Sequence, residues 1–131
     1  VLKGQCVCGA VRFEVEDAFH YAGFCHCSRC RRRTGSAFAS YAGIEAEKLH
    51  VVAGEADIDR VEESAEGYHA FCAHCHSWLF SVLRGATWAH VRLASLDGAP
   101  SRRPDHHIYV GSKAPWYKIT DAFPQFETLP P

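Results

Sequence analysis

Seven cysteines in three tight clusters are the residues of this chain best able to do chemistry: Cys6-Val7-Cys8, Cys25-His26-Cys27-Ser28-Arg29-Cys30 and Cys72-Ala73-His74-Cys75. A C-x-C or C-x-x-C pair presents two thiols from one turn, which suits a tetrahedral metal ion that takes thiolate ligands. The count is odd and the spacings are short. The clusters therefore read as metal ligation in a reducing, cytoplasmic compartment rather than as a disulfide framework. Zinc is the ion expected, two per chain. Seven divides as four plus three: Cys6, Cys8, Cys72 and Cys75 close one structural site, and Cys25, Cys27 and Cys30 leave one position of a second site free. Spacing alone leaves another pairing open, in which Cys72 and Cys75 close with Cys27 and Cys30.

An open site of three thiolates has a definite chemical character. The three negative charges weaken the zinc ion as a Lewis acid, so water bound there is a poorer hydroxide source than on a three-histidine zinc. Capture of a thiol suits it better, because zinc holds sulfur as thiolate. Arg29, Arg31, Arg32 and Arg33 surround Cys30, and arginine pairs with carboxylates through its planar fork. Arg29, Arg31 and Arg32 are candidate contacts for an anionic substrate. His107 is a candidate proton carrier, since imidazole titrates near neutrality. Trp116 and Phe38 are candidate pocket walls, although core packing is the expected place for both. His26, between two ligands, is expected to point away into solvent, and His74 and His76 to lie on the surface. No glycine-rich nucleotide loop follows a strand, so hydride transfer with a dinucleotide is not indicated.

The scaffold for these residues reads as short strands. The chain has 131 residues, 47% hydrophobic and 22% charged, which fits one ordinary globular domain spanning 1–131. Val11, Phe13 and Val15 alternate with Arg12, Glu14 and Glu16, the period of a half-buried strand. Further strands are expected at Leu49–Ala53, Tyr68–Phe71, Leu79–Leu83, Val91–Ser95 and His106–Val110, with turns at Gly43, Gly67, Gly85, Gly98 and Gly111. Cys27–Thr34 reads as a short helical turn stopped by Gly35. The aromatic, proline-rich stretch Ala114–Pro131 is expected to wrap the sheet as extended coil. The fold class is all-β, built from antiparallel strands. No apolar run is long enough to span a bilayer. The chain carries no Met, so residues are expected before Val1.

The motif Gly4-Gln5-Cys6-Val7-Cys8-Gly9-Ala10-Val11, then Cys25-His26-Cys27-Ser28-Arg29-Cys30-Arg31 with Thr34-Gly35, then Phe71-Cys72 to Cys75 with Ser77 and Leu79-Phe80, strongly resembles the glutathione-dependent formaldehyde-activating enzyme family, also called the centromere protein V family. Leu96-Asp97, Pro104, His107-Ile108, Lys113 and Trp116 extend the likeness over nearly the whole chain. The resemblance implies a β-tent fold similar to the Mss4-like fold. It implies structural zinc on Cys6, Cys8, Cys72 and Cys75, and an active site on Cys25, Cys27 and Cys30. It also implies a carbon–sulfur lyase type of reaction, the joining of glutathione to formaldehyde as S-(hydroxymethyl)glutathione. His76 departs from the pattern, standing where the family usually has Gly. A different function remains open at this level: a zinc-stabilised binding module that uses Arg29–Arg33 to hold nucleic acid or a protein partner. The net charge of -1 weakens the nucleic-acid version.

Overall fold

The computed structural model describes residues 1–131 apart from the side chain of Glu63. Ten short strands follow one another: β1 (Leu2–Gln5), β2 (Arg12–Val15), β3 (Tyr21–Cys25), β4 (Ala39–Glu45), β5 (Leu49–Ala53), β6 (Ile58–Ser64), β7 (Gly67–Cys72), β8 (Trp78–Leu83), β9 (Trp88–Val91) and β10 (His107–Ile108). One α-helix among the described residues, α1 (Ser28–Thr34), lies between β3 and β4. The expected all-β class holds.

The strands form two sheets, of three strands in the order β1-β2-β5 and of seven in the order β10-β3-β4-β9-β8-β7-β6. Phe13 and Val15 of β2 enter the core with Ala42 and Ile44 of β4, Phe80 and Val82 of β8, and Ala89 and Val91 of β9. Phe13 meets Phe80 edge to face at 5.8 Å. This is the alternation of a sheet with one dry face. The other face of the large sheet is free for chemistry.

Three expectations need correction. Pairing is not wholly antiparallel, because β10 runs parallel to β3, with Ile108 beside Cys25; the long connection of residues 92–106 makes that crossover possible. The strand expected at Val91–Ser95 ends at Val91 and passes into a 3-10 turn, Leu93–Ser95. Gly43 is not a turn. It sits inside β4, where an added Cβ would stand 2.3 Å from the Tyr21 ring. Glycine is needed there for the ring to lie across the strand.

Candidate metal centre and cavity

Two knuckles bring the first group of sulfurs together. Cys6 and Cys8 flank a turn after β1 that Gly9 closes at φ 77°. Cys72 ends β7, and Cys75 lies in the turn before β8, which His76 closes at φ 63°. The four Sγ atoms lie within 4.8 Å of one another, with Cys6 to Cys8 at 3.6 Å and Cys8 to Cys72 at 3.7 Å. Zinc–sulfur bonds of about 2.3 Å in a tetrahedron put sulfurs about 3.8 Å apart, so the donor set fits that ion. Backbone N–H groups complete the thiolate environment: Val11 N donates to Cys6 Sγ at 3.3 Å, and His74 N to Cys72 Sγ at 3.4 Å. Val7 N donates to Ser77 Oγ at 3.0 Å, stitching one knuckle to the other. Of the groupings that spacing left open, this is the one the chain assembles.

Cys25, Cys27 and Cys30 form the second group, also within 4.8 Å. Cys25 ends β3. Cys27 caps α1, its Sγ accepting from Cys30 N at 3.3 Å. Gly35, in the left-handed conformation, returns its N–H to Arg31 O and stops the helix after two turns. The three thiols share protons. Contacts from Cys25 and Cys30 draw Cys27 down to about 2, while contact with Cys27 and Cys30, with burial added, pushes Cys25 up. One of the trio sheds its proton first and makes the next loss harder. Three thiolates this close need a cation among them, and zinc fits the donor set here as well.

This group opens into a cavity of about 180 Å³ on the free face of the large sheet. Arg29 and Arg33 come from α1, Trp78 and Ser81 from β8, His69 from β7, His90 from β9, and Arg92 from the residue after β9. Arg92 is 8% exposed, and its guanidinium lies 4.0 Å from the centre of the Trp78 ring. Burial opposes its charge, and the three cysteines draw it back. Neither Arg92 Nε nor Trp78 Nε1 has a hydrogen-bond partner among the described residues, a cost that a bound acceptor would relieve. His69 Nδ1 lies 2.7 Å from Ser81 Oγ. Burial, with Arg33 and Arg92 nearby, pushes His69 down to about 4, and burial with Arg92 pushes His90 down to about 3. Both imidazoles are therefore neutral near pH 7 and serve as uncharged hydrogen-bonding groups.

The residues named from sequence scatter around this cavity. Arg29 lines it. Arg31 turns away and donates from Nε to Ser112 O at 3.1 Å. Arg32 is exposed and lines no part of it. His107 is 2% exposed and outside the cavity. It stands between Asp121, 3.0 Å from its Nε2, and His26, 2.8 Å from its Nδ1. His107 Nε2–H donates to the carboxylate, and one proton is shared between His107 Nδ1 and His26 Nε2. His26 is fully buried rather than exposed, because this chain ties the cysteine loop to the C-terminal strap. Trp116 is 74% exposed on a turn, not in the core. Phe38 is half-buried against Phe24 and Tyr117. His74 and His76 are exposed, as expected, with His74 paired to Asp57 at 2.8 Å. Arg92, Trp78, His69 and His90 were not singled out from sequence. Their signal is the polar position alternating with the core residues Ala70, Phe80, Ala89 and Val91.

The family model for glutathione-dependent formaldehyde-activating enzyme matches residues 1–112. A Halomonas elongata protein named as a candidate glutathione-dependent formaldehyde-activating enzyme is 31% identical over 130 residues, covering 91% of this chain and 81% of that protein. A crystal structure of a Rhodobacter sphaeroides protein, a structural-genomics target, superimposes with a TM-score of 0.63 at 33% identity, covering 76% of this chain and 91% of that one. No helix among the described residues is long and apolar enough to cross a membrane. The match over most of the chain, a span that includes both cysteine groups, makes this protein a member of the glutathione-dependent formaldehyde-activating enzyme family.

Proposed function

We propose that the chain is a zinc-dependent carbon–sulfur lyase-type enzyme that adds a small thiol, glutathione first, to formaldehyde or another aldehyde at Cys25, Cys27 and Cys30. Cys6, Cys8, Cys72 and Cys75 hold a second, structural zinc that ties the small sheet to the large one. Zinc on the three cysteines supplies the positive charge that lets a thiol give up its proton at neutral pH. The observation that supports this reading most is the contrast between the groups: four sulfurs fill a tetrahedron, whereas three face a cavity lined with arginines and neutral histidines.

The cavity residues have distinct tasks in this reaction. Arg92 and Arg33 bind the anionic thiol compound, and the unpartnered Arg92 Nε and Trp78 Nε1 donate to its oxygens. His69 takes the thiol proton, which burial makes easy to release again, while His90 Nε2 is held by the Tyr21 hydroxyl. The substrate sulfur then adds to the carbonyl carbon. A C–S bond forms, the C=O π bond opens, and the proton passes to the oxygen. No redox partner is required. The free thiols of all seven cysteines suit the cytoplasm as the place of work.

Because the adduct also forms unaided, the test is a rate. Exchange NMR on labelled formaldehyde with glutathione should show faster interconversion with zinc-loaded protein, and Cys27→Ser should remove the increase. Equal exchange with and without loaded protein would overturn the reading.

A further inference from the structure

The cysteine cavity shares Tyr41, His90 and Ile108 with a second cavity, of about 730 Å³. Its other walls are mostly carbon, from Tyr21, Pro124, Phe126, Leu129 and Pro130, with Arg84, Asp105 and His106 as the polar remainder. That volume and lining are those of a small-molecule pocket. The polar ends of the tyrosines are spent inside the wall. Trp88 Nε1 donates to Tyr21 Oη at 2.9 Å, which leaves the tyrosine proton for His90 Nε2 at 2.7 Å. Tyr41 Oη lies 2.7 Å from His106 Nε2. The tyrosines thus offer the cavity their rings more than their hydroxyls.

The outer wall is a separate piece of chain. Residues 124–128 run alongside β10: His107 N donates to Pro124 O at 2.9 Å, Phe126 N to His107 O at 2.9 Å, and Tyr109 N to Thr128 O at 2.9 Å. The family model stops at residue 112. The cysteine groups therefore lie within the shared pattern, and this apolar wall lies beyond it. Formaldehyde has no carbon substituent to fill such a space. Glutathione is charged at both ends, and among these walls Arg84 is the one arginine able to pair with either of its two carboxylates.

We propose that this cavity holds the hydrocarbon group of the carbonyl reactant, an aromatic or branched aliphatic aldehyde whose carbonyl carbon reaches the three cysteines past Tyr41, His90 and Ile108. The inference rests on the thiol–aldehyde reading of the site and names its second substrate class. The bond changes are those of the smaller reaction: a C–S bond forms, the C=O π bond opens, and the thiol proton moves to the oxygen. The residues of the strap, Phe126 and Leu129 foremost, set the preference for size.

Two measurements on the zinc-loaded full chain separate this idea from the reading beneath it. The first is binding of 2-phenylethanol, an unreactive analogue, followed by NMR. Saturable shifts of the Ile108 and Leu129 methyl signals are expected, and Leu129→Arg should weaken binding at least tenfold. The second is kcat/KM with glutathione for phenylacetaldehyde against formaldehyde. Phenylacetaldehyde should be preferred at least tenfold, and Leu129→Arg or Phe126→Ala should collapse that ratio. Absence of methyl shifts, or a formaldehyde preference that neither variant moves, overturns the inference while the thiol–aldehyde reading stands. Saturable binding without acceleration of any aldehyde overturns the thiol–aldehyde reading and leaves an apolar ligand site.

Discussion

Arg92 is the residue on which charge recognition turns. Its guanidinium is buried over Trp78, its Nε has no partner among the described residues, and the cysteine trio lies beside it. A buried cation of this kind invites an anionic partner, and a hydrogen bond to a charged group contributes about 1.5–3 kcal/mol. Arg92→Met keeps a long apolar stem against Trp78 and removes the fork. Steady-state kinetics should show KM for glutathione raised by about 10- to 100-fold with kcat much less affected. A fall confined to kcat would contradict a binding role. Lys at this position should not restore KM, because it offers a point charge rather than a planar fork. His76 is a second residue with a separable cost. A histidine at φ 63° pays for a left-handed conformation that glycine adopts freely. His76→Gly should stabilise the zinc-saturated protein by about 1 kcal/mol, read as a higher urea midpoint. An unchanged or lower midpoint would show that the imidazole does something useful at the knuckle.

Strands β7, β8 and β9 carry the site because alternation puts their polar residues on one face. His69 pairs with Ser81 across β7 and β8, and Ser81 with His90 across β8 and β9. Burial there has a pH consequence. With His90 drawn down to about 3 and His69 to about 4, the folded protein resists protonation at pH values where the unfolded chain, near the ordinary 6.5, accepts it. The unfolded state thus binds more protons between about pH 6.5 and 3, so stability is full above 6.5 and is lost as pH falls through that window. Urea midpoints measured at pH 7 and pH 5 should differ less in His90→Gln than in the parent chain. Equal differences would mean that His90 does not contribute. This row is legible only as single polar residues, His69, Ser81 and His90, set between core residues of β7, β8 and β9. It was not legible as a site, since nothing in the spacing says which face closes on the core. The cysteines were legible because chelation acts over two or three residues. The burial of His26 and the exposure of Trp116 escape the sequence because the first is decided by His107, 81 positions away, and the second by a turn, not by neighbours. Gly43 misled for the same reason: its need is set by Tyr21, across the sheet.

At the scale of the molecule, the two cysteine groups occupy different places in the fold. The four-cysteine group joins the end of β1 to the end of β7 and thereby fixes the small sheet on the large one. The three-cysteine group sits where β3, α1 and β10 meet, in the wall of the smaller cavity. In the function proposed above, one group serves folding and the other chemistry. Structural zinc binding is folding free energy, so losing the first should unfold the chain, whereas losing the second should spare it. Cys72, fully buried in the core, and Cys27, half-buried at the cavity, are the residues that separate the two.

Zinc content per chain, measured by native mass spectrometry together with circular dichroism, tests this division most directly. The account expects two zinc ions on the folded parent chain, one on a folded Cys27→Ser chain and none on an unfolded Cys72→Ser chain. A folded Cys72→Ser chain, or a Cys27→Ser chain that unfolds with its zinc, would contradict it.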